Sequence, residues 1–495
     1  MNILILGYGV EGKSVENYFK HDPAIYEHTS IDILDKFDKE ELLFKDYSGY
    51  DLIFRTPSIP PKFIDAPKEK ITSCTKYFFH HCPCPIIGVT GTKGKGTTCT
   101  MIRDLLTACW AKRPFEGPKT WPTCPLGRSE RSDSGPERSE NGTSPASGSR
   151  VFLVGNIGTA SLDVLPELTE NDVVVYELSS FQLWDMDLSP AVSVILRLEP
   201  DHLDVHDSYA EYLSAKQNIV NFQSKDDFCI YFKDNKDTVS LATNSKAKKL
   251  TYPCSEADWS AGESSANFAE LRAKIDSLLD KLQVPGNHNR EDAEAALLAT
   301  FAFFQRTDKN LNLADFLTQH ETELKSALHN FKALPHHIEL VRELNGVKYY
   351  DDSFSTVSPA LRACLSAFKD TPFVLIAGGK DKGFDLYDVK RLIFDNKDLI
   401  KAVLIGETAK KLKDGEDPEK FVYCGTDFEL AVKTAQKLAE AKLTQEEENS
   451  DTCLVDKKPT VKNPVVLLSP CASSFDMFKS YKDRGDKFKK IVSEL

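Results

Sequence analysis

Residues 88–98, GVTGTKGKGTT, follow CPCPII and precede the apolar-periodic CTMIRDLLTAC, so a buried strand runs through a glycine-rich turn into a helix. Such a turn is an anion site, because unpaired backbone N–H groups and the positive end of the helix dipole converge on it. Phosphate is the expected anion. Gly91 and Gly94 let the backbone curl closely, Lys95 reaches the outer phosphates as a point charge, and a hydroxyl just inside the helix can ligate Mg²⁺. The loop departs from the Walker pattern at Val89, where that motif has its first glycine, and at Gly96, where it has Ser or Thr. Thr97 is then the candidate magnesium ligand, with Thr98 as the alternative. The competing reading is an ordinary glycine turn before a helix.

Three further strand ends carry polar residues. VFLVGNIG, DVVVYELSS and AVSVILRLEPDH are apolar, β-branched runs bounded by turn residues, which reads as a parallel sheet. Ligands of open α/β sheets bind at the carboxyl ends of the strands, so Asn156, Glu177 and His202 are expected to face the same phosphates as Lys95. Near the amino terminus, MNILILGYGVEGKSVENYF reads as strand, GxGxxG turn (Gly7, Gly9, Gly12) and helix, with AIYEH as the next strand, ending near Glu27. That spacing fits dinucleotide binding, although the same turn cradles any pyrophosphate. In HHCPCP, His80, His81, Cys82 and Cys84, with Cys74 nearby, are possible zinc ligands; no second CxxC or HxxxH completes the set.

These candidates need elements to position them. At 495 residues the chain exceeds one ordinary core. The patterns divide it into 1–84, 85–332 and 333–495: a Rossmann-like unit, a central P-loop unit with a mostly parallel sheet, and a second Rossmann-like α/β unit in which VKYYDDS, FVLIAGGKDKG, KAVLIG, KFVYCG and PVVLLSP alternate with helices. Residues 112–150, rich in Pro, Gly, Ser and Arg, read as a disordered insertion, and TQEEENSDTCLVDKKPTVKN as a charged loop. A net charge of −13 argues against a general nucleic-acid surface. Twelve scattered cysteines, no 18-residue apolar run and no signal-peptide pattern point to reduced thiols, no membrane insertion and a cytoplasmic location.

Taken in order, GYGVEG, TGTKGKGTT, VGNIG, YELSSFQL, EPDHLDVH, AKQNI, GNHN, LPHHIE, YYDDSFST, AGGKDKG and LLSPCASSFDMFKSYKDRG resemble the Mur ligases of peptidoglycan synthesis over nearly the whole chain. The end of the chain resembles their glutamate-adding branch. The resemblance implies ATP-dependent amide formation between UDP-N-acetylmuramoyl-L-alanine and D-glutamate through an acyl phosphate, by a monomer using ATP and two Mg²⁺ ions. It implies that Gly91, Thr92, Lys93, Gly94, Lys95, Gly96, Thr97 and Thr98 cradle ATP, and that Asn289, His336 and Asp352 approach its nucleoside. Glu177 and His202 would hold magnesium, and Lys216 would be carbamylated to help hold the second ion. Gly9, Val10, Glu11, Gly12 and Asn156 would meet the UDP-substrate, and Lys382, Ser474 and Tyr481 the D-glutamate. Domain closure is implied, since these groups come from separate units.

Four positions depart from the family's usual residues: Gly96 for a hydroxyl, Asp292 for an asparagine, His337 for an arginine and Phe354 for a lysine. Other readings remain open at this point: a sister ligase adding a different amino acid, a nicotinamide-dependent dehydrogenase built on GYGVEG, and a nucleotide-gated binding protein without ligase chemistry.

Overall fold

A computed structural model describes residues 1–21, 28–110, 149–254, 265–381, 383, 386–451 and 462–495. The chain is α/β, with three sheets in two compact units: Met1–Lys281 with Glu291–His329, and Leu282–Arg290 with Asn330–Leu495.

The first unit holds two wholly parallel sheets. One has the order β2-β1-β3-β4, from β1 (Asn2–Leu6), β2 (Ser30–Leu34), β3 (Leu52–Arg55) and β4 (Ile71–Ser73). The other is formed by β5 (Ile86–Thr90), β6 (Val151–Gly155), β7 (Val173–Glu177), β8 (Val192–Ile195), β9 (Phe228–Phe232) and β10 (Lys248–Tyr252), in the order β10-β9-β8-β5-β7-β6. Strand β5 is central, and every residue of β5 and β7 is buried. Their apolar, β-branched composition suits strands covered on both faces, where each fully buried Val or Ile contributes about 1.5–3 kcal/mol.

The two sheets of this unit share a core: Phe19, Phe54 and Phe78 cluster with Leu162, Val174 and Tyr176. Polar bonds cross the same junction. Arg55, fully buried, donates from Nε to Asp185 Oδ2 at 2.9 Å, and Ser14 Oγ donates to Asp163 at 2.6 Å. Tyr176 OH donates to Thr75 Oγ1 at 3.0 Å, so the hydroxyl of a ring buried in the core is satisfied.

The second unit carries one six-stranded sheet, order β11-β12-β16-β13-β14-β15, from β11 (Glu339–Leu344), β12 (Val347–Asp351), β13 (Phe373–Gly378), β14 (Leu399–Ile405), β15 (Phe421–Gly425) and β16 (Val465–Leu468). All neighbours are parallel except β11 against β12.

The strand beside β1 is SIDIL, Ser30–Leu34; the expected strand AIYEH falls, for 24–27, outside the described residues. A second expectation is corrected. The stretch expected to be a charged loop from residue 444 begins inside a helix, Phe428–Asp451, whose buried face (Ala431, Val432, Ala435, Ala439) packs into a core that includes Val374 and Val403. Helical spacing of those alanines carries the helix into its charged end. The expected disordered insertion falls, for 112–148, outside the described residues. Among the described residues no helix is long and apolar enough to cross a membrane.

Candidate functional site

The helix Lys95–Cys109 starts directly after the glycine turn, capped by Gly94 at φ +82°. Glycine is required at two points of this turn for close approach. A Cβ on Gly91 would meet Leu196 Cβ at 2.5 Å, and one on Gly94 would meet Asp292 Oδ1 at 2.5 Å. The Lys95 ammonium folds over the loop, donating to the carbonyls of Gly91 and Thr92, each at 3.1 Å. Thr92 is tied down by Oγ1 bonds to Glu199 O (3.0 Å) and Tyr212 OH (2.8 Å), while Lys93 is exposed. Thr98 is fully buried and Thr97 and Gly96 half-buried, so the hydroxyl open to a ligand is that of Thr97.

Lys216 is the residue that sequence places least well. A lone lysine on the helix Tyr209–Asn221 is ordinarily solvated; here it is 1% exposed, its Nζ at 3.0 Å from Thr90 Oγ1 and 3.1 Å from Gly91 O, and 4.9 Å from the centre of the Tyr212 ring. Burial pushes its pKa well below the lysine range; the Lys95 charge adds to this, and Asp201 and Glu177 oppose it.

Glu177 ends β7 with its carboxyl buried, bonded by Asn156 Nδ2 at 3.3 Å. Burial raises its pKa, while Lys95, the Asn156 bond and Lys216 pull it down. Among the described residues no cation lies within ion-pair distance of it. A buried carboxylate without a paired charge fits a hard cation such as Mg²⁺ as its complement. Asn156 and Glu177 thus meet at neighbouring strand ends, with Lys95 at the start of one helix and Lys216 reaching in from another. His202 sits apart in the loop after β8 at φ 55°, half-exposed, edge-on to Phe181 at 5.0 Å and next to Asp201.

In the GYGVEG turn, Gly7 adopts φ +85°, and Gly12 packs against the Gly7 carbonyl where no Cβ fits. Val10 is 77% exposed, and a Cβ on Gly9 would meet nothing. The Glu11 carboxyl turns inward, accepting from Gln182 Nε2 at 2.8 Å, and burial raises its pKa. Only its backbone can serve a ligand in the turn. The acid after the second strand is Asp35, whose carboxylate accepts from Tyr8 N at 2.7 Å.

In the second unit His336 and Asp352 are both buried but are not each other's partners. His336 Nδ1 meets Asp351 Oδ2 at 2.7 Å, and Asp352 accepts from Ser469 Oγ at 2.8 Å, its pKa pushed by burial to about 7. Ser474 is buried in the loop after β16, and Tyr481 opens the helix Tyr481–Glu494 with its ring edge-on to Phe354 at 5.2 Å. Lys382 lies outside the described residues. Asn289 is bonded locally, Nδ2 to Pro285 O at 2.6 Å. The departing residues His337 and Phe354 stack on one another at 4.1 Å. Sequence reasoning did not find Asp351, Ser353 or Arg484; the adjacent acids in YYDDS were the one visible signal.

The residues of HHCPCP find other partners. His80 pairs with Asp187 at 2.8 Å, and His81 bonds back to Tyr77 O at 2.7 Å and stacks on that ring. Both imidazoles are thus committed away from Cys82 and Cys84, whose sulfurs lie 3.6 Å apart. The one described group with metal-holding spacing is His336, Glu339 and Asp351, and there the Lys489 ammonium already lies 2.5 Å from Glu339.

The profile of the Mur ligase middle domain matches residues 154–300. The chain is 31% identical to the UDP-N-acetylmuramoylalanine--D-glutamate ligase of a Clostridium botulinum strain, over 90% of this chain and 83% of that one. It is 32% identical to the Clostridium kluyveri protein of the same name, over 92% and 85%. Among solved structures, the fold is similar to MurF ligase from Thermotoga maritima in complex with ADP, with a TM-score of 0.51, 14% identity, and 99% and 95% of the two chains covered. MurF from Acinetobacter baumannii also gives 0.51, at 14% identity over 87% and 83%.

Proposed function

This chain belongs to the Mur ligase family, and on that premise we propose which of its residues carry out the family's reaction. It is an ATP-dependent ligase that joins D-glutamate to UDP-N-acetylmuramoyl-L-alanine in peptidoglycan precursor synthesis. The observation that carries the assignment of roles is the meeting of Lys95, Lys216 and Glu177 around the Gly91–Gly94 turn, at the carboxyl ends of β5 and β7.

Residues 1–84 hold the UDP part of the substrate, with the backbone of Gly9, Val10, Glu11 and Gly12 at its pyrophosphate. Residues 85–332 hold the triphosphate, and 333–495 the amino acid through Lys382, Ser474 and Tyr481. The substrate carboxylate attacks the γ-phosphorus as the bond to the β-phosphate oxygen breaks, releasing ADP and leaving an acyl phosphate. The amine of D-glutamate then attacks the acyl carbon, loses a proton and expels phosphate. Lys95 and the backbone N–H groups of residues 92–96 offset the negative charge that gathers on the transferring group. Asn156, bonded to Glu177, orients that carboxylate and faces the acyl substrate.

Magnesium, in two ions, supplies polarisation of the phosphoryl oxygens; Thr97 and Glu177 would hold one, and His202 with carbamylated Lys216 the other. Depression of the Lys216 pKa supports the carbamate, since a neutral amine is the form that attacks CO₂. Asn289, His336 and Asp352 lie toward the nucleoside. The enzyme works as a cytoplasmic monomer without nucleic acid.

The test is phosphate release from ATP with UDP-N-acetylmuramoyl-L-alanine and Mg²⁺, comparing D-glutamate with L-glutamate, L-lysine, meso-diaminopimelate and no amino acid. Release with D-glutamate alone, lost in Lys95→Ala, supports the assignment; release with another acceptor moves it to a sister ligase.

A further inference from the structure

Arg484 is wholly buried, yet among the described residues its guanidinium has no carboxylate within ion-pair distance. Its donors go to loops instead. Nε donates to Ser353 Oγ at 2.9 Å, Nη2 to Ser353 O at 2.9 Å and Nη1 to Ala472 O at 3.0 Å. Ser353 Oγ in turn donates to Tyr481 O at 2.8 Å, and Ser353 N donates to Asp351 Oδ1 at 3.0 Å. A third loop closes on the same point: a Cβ on Gly379 would lie 3.3 Å from Arg484 Nη1, and Lys380 N donates to Ser473 O at 2.8 Å.

A guanidinium stripped of water is costly to bury unless its donors are used. Burial lowers its pKa to about 10 against the pull of Asp476, Asp351 and Asp352, so it stays charged at neutral pH. An apolar residue would fill this space at less cost if packing were all that was needed. What the fork accomplishes is geometric: one planar cation fixes the loop after β12 (Asp351–Ser355) against the loop after β16 (Ala472–Ser474) and the start of the last helix at Tyr481.

We infer that Arg484 is a positioning residue coupling the nucleotide-facing loop at Asp352 to the amino-acid grip at Ser474 and Tyr481, with Ser353 as the shared joint. This rests on the roles assigned above to Asp352, Ser474 and Tyr481. A disturbance in either loop is carried to the other through three bonds, so nucleotide and D-glutamate bind cooperatively in this unit.

The experiment uses the full chain with Arg484→Lys, Ser353→Ala and the double variant, measuring KM for ATP, D-glutamate and UDP-N-acetylmuramoyl-L-alanine, with melting temperature alongside. Lysine keeps the charge but cannot fork. Losing charge-assisted bonds is expected to raise KM for D-glutamate about 10-fold or more in Arg484→Lys. KM for ATP moves the same way and KM for the UDP-substrate stays put, because its turn lies in the other unit. Ser353→Ala gives a smaller change of the same pattern, and the double variant is no worse than Arg484→Lys. A lowered melting temperature with all three KM values unchanged, an equal rise in all three, or additive single effects would overturn the coupling. If Arg484→Lys does not fold, Ser353→Ala alone decides between these outcomes. Wild-type protein that releases no phosphate with D-glutamate would instead fail the functional reading beneath it.

Discussion

Lys95 and Lys216 share one acceptor: each side-chain nitrogen lies 3.1 Å from the carbonyl oxygen of Gly91. Two ammonium groups so placed repel, and burial, with the Lys95 charge adding to it, lowers the pKa of the deeper one, Lys216.

Lys95→Ala is expected to lower the rate of phosphate release on the order of 10²–10³-fold, the scale of losing one preorganised charge at a developing anion. Lys216→Met is expected to lower activity while removing any dependence on dissolved bicarbonate. The wild type, if Lys216 is carbamylated, gains activity with bicarbonate and takes up isotopic label from it. Label absent from the wild-type lysine would sink the carbamate.

Lys216 also predicts a stability profile. Its folded pKa is depressed, so the folded state holds fewer protons than the unfolded chain between that value and the ordinary lysine value. Stability from this group is present above the unfolded pKa and lost as pH falls through the folded one. Chemical denaturation from alkaline pH downward shows a decline for the wild type that Lys216→Met lacks.

Asp292 works in the opposite direction. Its carboxyl is buried against Gly94, and burial raises its pKa well above the carboxylate range; Glu291 adds to this, and Thr98 and Lys95 oppose it. A raised folded pKa means that stability is present below the unfolded value and lost as pH rises through the folded one. Asp292→Asn, which cannot ionise, is expected to melt higher than the wild type at neutral pH, with the gap closing in acid. Equal melting temperatures across that range would show that the carboxyl ionises freely.

Glu177→Gln removes a carboxylate that no described cation neutralises. Activity is expected to fall on the order of 10²-fold or more, with the magnesium concentration for half-maximal rate shifted upward. An unchanged magnesium dependence would take Glu177 out of the metal's reach.

His337 and Phe354 stack with ring centres 4.1 Å apart. Replacing either with alanine breaks the same contact, so a double-mutant cycle is expected to show a coupling of about 0.5–1.5 kcal/mol. A coupling near zero would mean that the stack contributes nothing to stability.

Much of the fold was legible because strands such as VVVYE and FVLIAG declare themselves in five or six residues, and a glycine turn before a periodic helix is equally local. Where signals weakened, the reading failed. SIDIL alternates apolar and polar residues and lies mostly exposed, so its burial pattern marks it less clearly than its neighbours. Helical spacing in Phe428–Asp451 was obscured by its run of acids.

By itself the sequence determined the strand–turn–helix units and the polar residues at strand ends, because turn chemistry and periodicity operate over a few residues; the ligase family came from the resemblance of its ordered motifs. Tertiary structure alone decided that Lys216 meets Thr90 across 126 positions and that Arg484 meets Ser353 across 131. It also decided that His336 pairs with Asp351 and that Asp292 presses on Gly94. The reason is physical: whether a charged side chain is solvated or buried, and beside which charge, depends on which surfaces the packed sheets bring together, and no local window contains both partners.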